Sequence, residues 1–136
     1  MTKKKDEKQE NIEEVNSPIT AGLKTKEDIV NNWLPRYTGR PLEEFGEYIL
    51  LTNFSNYVKL FSQMHGDAPI LGEDKPMQTC SADGITIINF GMGSPVAATV
   101  MDLLTAIHPK AVLFLGKTGV LKKKIDVGEL ILPIAA

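Results

Sequence analysis

Apolar positions change their spacing several times along this chain, and each change predicts an element. Ile29, Val30, Trp33 and Leu34 recur at helical intervals behind Thr25. Thr25 with Asp28 three residues on has the form of a helix-starting capping box. Pro35 predicts the end of that helix, since proline lacks the amide proton and clashes with the preceding turn. A turn over residues 37–41 and a single helical turn over 42–45 follow. Tyr48, Ile49, Leu50 and Leu51 then form an unbroken apolar run of strand length, the pattern of a parallel strand buried on both faces. Asn53 is placed to cap a helix carrying Phe54, Tyr57, Val58, Phe61 and Met64, with Gly66 as its stop.

The next two runs, 77–82 and 85–90, flank Asp83-Gly84, a pair suited to a two-residue type I′ hairpin turn. The second run passes through Gly91-Met92-Gly93 into Ser94 and Pro95, predicted as cap and first residue of a helix bearing Val100, Met101, Leu103, Leu104 and Ile107. Residues 111–115 read as another strand and 130–135 as a last one. Alternating strands and helices predict an α/β fold with a mostly parallel, mixed sheet and helices on both faces. The last predicted strand has no helix after it to cover it. The expectation is therefore that 24–136 forms the amino-terminal half of a larger domain.

Residues 1–23 differ from the rest. They mix lysines with aspartate and glutamates and offer almost nothing to bury, the composition of a disordered extension. In the whole chain, 15 basic residues face 17 acidic ones, so the basic excess of a nucleic-acid binder is absent. Nucleic acid is not an expected partner. Cys80 is the only cysteine, which excludes an internal disulfide and a multi-cysteine metal site and predicts a buried thiol in a reducing compartment. No apolar run approaches membrane-spanning length. A cytoplasmic protein without membrane or metal is expected.

The glycine turns carry the candidate chemistry. Gly91-Met92-Gly93 joins a strand to a helix start, where backbone amides and the helix dipole attract anions. It is not a dinucleotide fingerprint, because Val96 replaces the third glycine and the next strand ends in Gly116-Lys117 rather than an acid. It is either a ligand-facing turn or merely a tight one, and Met92 either touches a ligand or packs. Gly116-Lys117-Thr118 imitates the end of a P-loop, but the residues before it are strand-like. Lys117 lies at the carboxyl end of a strand, either facing a ligand or solvated. His65 and His108 fall at predicted helix carboxyl ends and read as capping groups. Lys122, Lys123 and Lys124 read as a solvated loop.

Three segments taken together, 48–58, 87–95 and 115–119, with Trp33-Leu34-Pro35-Arg36-Tyr37 upstream, resemble the AMP nucleosidases of the nucleoside phosphorylase superfamily. The resemblance covers about residues 24–136. It implies hydrolysis of AMP or a related purine nucleotide to adenine and ribose 5-phosphate, without a cofactor, by a homo-oligomer. It implies that Thr52, Asn53, Phe54 and Asn56, together with Gly91, Met92, Gly93 and Ser94, line the ribose and anion side of a cleft. Lys117, Thr118 and Gly119 would stand beside sugar and base. The acid that assists the purine and the methionine–glutamate pair for the ribose hydroxyls belong to the family's later half, so no catalytic residue is assigned and these 136 residues alone are expected not to hydrolyse AMP. Two departures matter. Phe114 stands where related phosphorylases carry a phosphate-gripping arginine, which favours water as nucleophile, and Val120 stands where the family commonly has a second glycine. The alternatives are a purine nucleoside phosphorylase and a non-catalytic nucleotide-binding or oligomerising piece.

Overall fold

The computed structural model describes residues 22–121 and 124–133. The expected disordered extension lies outside these residues apart from Gly22 and Leu23, and Lys122 and Lys123 also lie outside them. Within them the elements run α1 (Lys26–Thr38), a 3-10 turn (Leu42–Glu44), β1 (Tyr48–Thr52), α2 (Ser55–Met64), β2 (Ile70–Leu71), β3 (Gln78–Ala82), β4 (Ile85–Asn89), α3 (Ser94–Leu103), a 3-10 turn (Leu104–Ala106) and β5 (Ala111–Leu115). The sheet order is β2-β3-β4-β1-β5. β1 is central and pairs in parallel with β4 and β5, while β3 pairs antiparallel with β4 and β2. The sheet is thus mixed, with its parallel half around β1.

Alternation along the strands divides the core into two layers. Ile49 and Leu51 of β1 and Ile88 of β4 face a cluster with Val30 and Leu34 of α1 and Val100 and Leu103 of α3. Ile87 and Cys80 join Val58 and Phe61 of α2 in a second cluster, against which Leu50 packs. α1 and α3 therefore cover one face and α2 the other, as period-two strands with apolar residues on both faces require.

The start of α1 follows the sequence reading. Thr25 N donates to Asp28 Oδ2 at 3.0 Å and Asp28 N to Thr25 Oγ1 at 3.1 Å. These bonds hold the Asp28 carboxyl below its usual range, with the Thr25 hydroxyl the chief cause. Its end does not. Pro35 lies inside the helix, which continues to Thr38 and stops at Gly39, a left-handed residue with φ 68° whose N–H reaches Pro35 O. The extra turn is held by the burial of Leu34 and Thr38 and by Trp33 stacked on Tyr37 at 5.7 Å.

Three further expectations are corrected. Asn53 does not cap α2: the N-cap residue is Phe54, without a side-chain cap. Ser94 is the first residue of α3 rather than its cap, because the chain enters through Gly93 at φ 98°. Leu130 to Pro133, the described part of the predicted closing strand, has no regular structure, so that strand is not formed there. The hairpin turn is as predicted, with Asp83 at φ 50° and Gly84 at φ 77°. Cys80 is buried, and that burial raises its thiol pKa. His65 holds the α2 C-cap position with Nδ1 2.9 Å from Asp83 Oδ2, whereas His108 lies past the second 3-10 turn in a left-handed conformation, φ 45°.

Candidate functional site

The parallel strands end level. Thr52, the last residue of β1, is opposite Asn89 at the end of β4 and Leu115 at the end of β5. The three turns singled out in the sequence therefore leave one edge of the sheet side by side. The connections from β1 through α2 and from β4 through α3 run over opposite faces, so this edge is where the winding reverses. In open α/β sheets ligands bind in the crevice outside such strand ends.

At the β1 turn Thr52 is buried, and its Oγ1 accepts the Phe54 N–H at 3.2 Å while its carbonyl accepts the Phe90 N–H at 3.1 Å. Those bonds fix the turn to its neighbour. Asn53 Oδ1 is buried without a hydrogen-bond partner among the described residues. Phe54 and Tyr57 meet edge to face at 5.5 Å across the start of α2, where Asn56 is exposed. At the β4 turn Gly91 and Gly93 take φ 84° and 98°, conformations open to glycine but costly for other residues. Asn89 Oδ1 accepts the Gly91 N–H at 3.2 Å. Met92 is 80% exposed, so it does not pack in the core, and Ser94 is exposed.

At the β5 turn Lys117, Thr118 and Gly119 are exposed. Lys117 reaches back over α2, its Nζ 4.6 Å from the Phe54 ring centroid and 5.5 Å from that of Tyr57. Among the described residues Thr118 Oγ1 donates to the neighbouring Gly119 carbonyl, at 3.3 Å, and makes no other hydrogen bond. Val120 is not among the residues with positive φ, so its β-branch meets no backbone conflict. Phe114 lies 5.9 Å from Phe90 and closes over Gly116, where a Cβ would come within 2.7 Å of its ring.

The turns containing all eleven candidate residues are thus brought to one edge. What the sequence does not show is the cation on its aromatic shelf: Phe54 is a candidate and Tyr57 a helix-face residue there, but nothing local brings Lys117 over the two rings, and their i, i+3 spacing at a helix start is the available signal. Elsewhere, a cleft of about 450 Å³ bounded by Leu42, Phe45, Glu47, His108 and Lys110 opens at the opposite end of the sheet. Its Lys110 and Glu47 pair with each other at 2.6 Å. The glycine turns and helix starts are not part of it. Among the described residues no group of three histidine, cysteine or acidic side chains could hold a metal, and no helix is long and apolar enough to cross a membrane.

The AMP nucleosidases of Escherichia coli strains K12 and O157:H7 are each 26% identical to the chain over 136 aligned positions, covering 73% of this chain and 28% of theirs. The crystal structure of AMP nucleosidase from Bacteroides thetaiotaomicron VPI-5482 matches with a TM-score of 0.67 and 64% identity, over 69% of this chain and 40% of that one. The chain therefore spans well under half the length of these relatives. The family-wide sequence pattern described as the phosphorylase superfamily matches residues 43–136, which takes in the sheet from β1 onward and all three turns, and the chain belongs to that superfamily.

Proposed function

We propose that this chain supplies one side of the substrate cleft of an AMP N-glycosidase, which converts AMP and water to adenine and ribose 5-phosphate. The observation that carries the reading is the 64% identity with the Bacteroides AMP nucleosidase, over a stretch long enough to reproduce the sheet. In this reaction the water oxygen bonds to C1′ as the C1′–N9 bond breaks. The bonding electrons leave with adenine, which takes up a proton, and the water gives one up. Positive charge develops on the ribosyl ring, so the site must hold the sugar in place while orienting water.

The β1 and β4 turns suit the positioning part of that task. Their backbone is pinned by Thr52 and Asn89, and the starts of α2 and α3 direct unpaired amides and dipoles at the same edge. No aspartate or glutamate occurs in residues 52–57, 89–94 or 115–119, so none of these turns offers a carboxylic acid for the leaving-group proton. Phe114 bears on the nucleophile: an aromatic ring offers no charge to phosphate, which supports hydrolysis over phosphorolysis. A homo-oligomer located in the cytoplasm belongs to the same reading, which the single buried Cys80 suits.

The test is product analysis on this chain joined to the later half of the superfamily domain, purified and supplied with AMP, or with adenosine, with and without inorganic phosphate. Adenine and ribose 5-phosphate from AMP, at a rate independent of phosphate, are the expected products. Ribose 1-phosphate from adenosine and phosphate would assign the chain to a phosphorylase, and AMP binding without turnover would leave it a binding module.

A further inference from the structure

We propose that Lys117 is the residue that selects a nucleotide over a nucleoside, by donating to the 5′-phosphate from its place on the Phe54–Tyr57 shelf. The inference rests on the AMP reading above and adds a role that the resemblance alone, which sets Lys117 beside sugar and base, does not give. Lys117 leaves β5, yet its ammonium lies 4.6 Å from the ring centroid of Phe54, the residue that opens α2. Two rings hold it, since Tyr57 is 5.5 Å away. An aromatic face attracts a cation but accepts no strong hydrogen bond, so the shelf positions the ammonium without using up its three N–H donors. Among the ion pairs formed by the described residues, none involves Lys117.

The surroundings ask for an anion. The shelf is the first turn of a ten-residue helix whose N-cap position has no side-chain cap. Beside it, Asn53 Oδ1 is buried and has no partner among the described residues, an acceptor for a hydrogen bond donated by a hydroxyl of the sugar that carries the phosphate. The three turns themselves contain no carboxylate to neutralise Lys117. A phosphate monoester is dianionic near neutral pH and presents several acceptors to such a group, whereas the 5′-hydroxyl of a nucleoside is neutral.

The experiment measures binding, so that it does not depend on turnover. The chain is titrated with AMP, adenosine, ribose 5-phosphate and ribose by calorimetry, and by NMR where binding is weak, for the wild type and for Lys117→Met, Lys117→Arg and Phe54→Leu. Lys117→Met keeps the length and removes the charge at an exposed position, where folding is not at stake. It is expected to weaken AMP and ribose 5-phosphate by about 10- to 100-fold, the range for a hydrogen bond to a charged group. Adenosine and ribose should change less than about threefold on the same scale. Lys117→Arg should restore most of the loss, and Phe54→Leu should fall between. Equal losses for AMP and adenosine in Lys117→Met, or none, would overturn the role of Lys117 while leaving an AMP site standing. Failure of wild-type chain to bind either phosphate-bearing compound would overturn the proposal, while AMP hydrolysis by the joined protein would still be judged by its products.

Discussion

Gly72 and Gly84 share a φ of 77° and differ in what surrounds them, which makes the pair a controlled test of the packing that sets α1 against the sheet. At Gly84 an added Cβ would meet nothing within 4 Å. At Gly72 it would run into the carbonyl oxygens of Thr38 and Met77. Alanine in the left-handed region costs roughly 1–2 kcal/mol, of which about 0.4–1 is offset by the stiffer unfolded chain. Gly84→Ala should therefore cost about 1 kcal/mol, from backbone conformation alone. Gly72→Ala bears the same cost and a clash besides. The colliding atoms are backbone, tied to each other through the Met77 N–H that reaches Tyr37 O at 3.0 Å, so neither can yield without opening that bond. Overpacking of this kind typically adds about 1–3 kcal/mol, giving about 2–4 kcal/mol in total. For a domain of this size each kcal/mol lowers Tm by about 4–8 °C. Urea and thermal unfolding of both variants, followed by circular dichroism, measure the difference. Equal destabilisation of the two, within about 0.5 kcal/mol, would refute the close approach of the α1 end to the β2–β3 connection.

Three further outcomes are expected. Thr25→Ala should destabilise α1 by about 1 kcal/mol at neutral pH through loss of its cap. Asp28 is held below its ordinary pKa of 3.8 chiefly by the Thr25 hydroxyl, so its contribution is present above that value and lost as pH falls through the lower folded value; acid titration should show wild type and variant converging there. Cys80, raised above its ordinary 9.0 by burial, should make the wild type lose stability as pH rises past 9.0, where the unfolded thiol ionises first; Cys80→Ala should lack that slope in urea melts, and native Cys80 should resist iodoacetamide. Pro35→Ala, which gives the α1 interior back its missing N–H, should stabilise by about 1–2 kcal/mol in the same melts.

The parts of the fold legible in the sequence are those decided locally. Thr25 with Asp28, the apolar run from Tyr48, and Asp83-Gly84 each depend on neighbours a few residues away, and each forms as read. The misreadings arose where distant contacts outweigh local preference. Pro35 should end a free helix, but Thr38 is buried and Met77 binds Tyr37 O, both results of the sheet lying against that turn. β2 is only Ile70 and Leu71, between Pro69 and Gly72, too short to give a periodic signal, and exists because β3 offers it a partner. The candidate site divides similarly. Each glycine turn could be placed at a strand end from sequence, yet their common edge depends on Thr52, Asn89 and Leu115 falling in register, which no local pattern encodes.

That register also gives the edge two unlike sides. Phe114 is level with Leu51, whose side chain belongs to the layer of α1 and α3, and the Phe114 ring meets Phe90 of the same layer. Lys117 turns the other way, over the start of α2. An apolar aromatic surface therefore flanks the strand ends toward α3, and a cation with an uncapped helix start flanks them toward α2. A purine nucleotide has the same division, a flat base of low charge at one end and a phosphate at the other, joined by a sugar. Two substitutions separate the sides. Lys117→Met acts on phosphate-bearing ligands, whereas Phe114→Leu keeps an apolar group but removes the ring, and should weaken adenine and AMP alike by about three- to tenfold through lost stacking surface while leaving ribose 5-phosphate unchanged. Calorimetric titration of the two variants with the same compounds decides between this division and a single undivided cleft. Weakening of ribose 5-phosphate by Phe114→Leu as large as that of adenine would mean that the rings shape the whole edge rather than its base side.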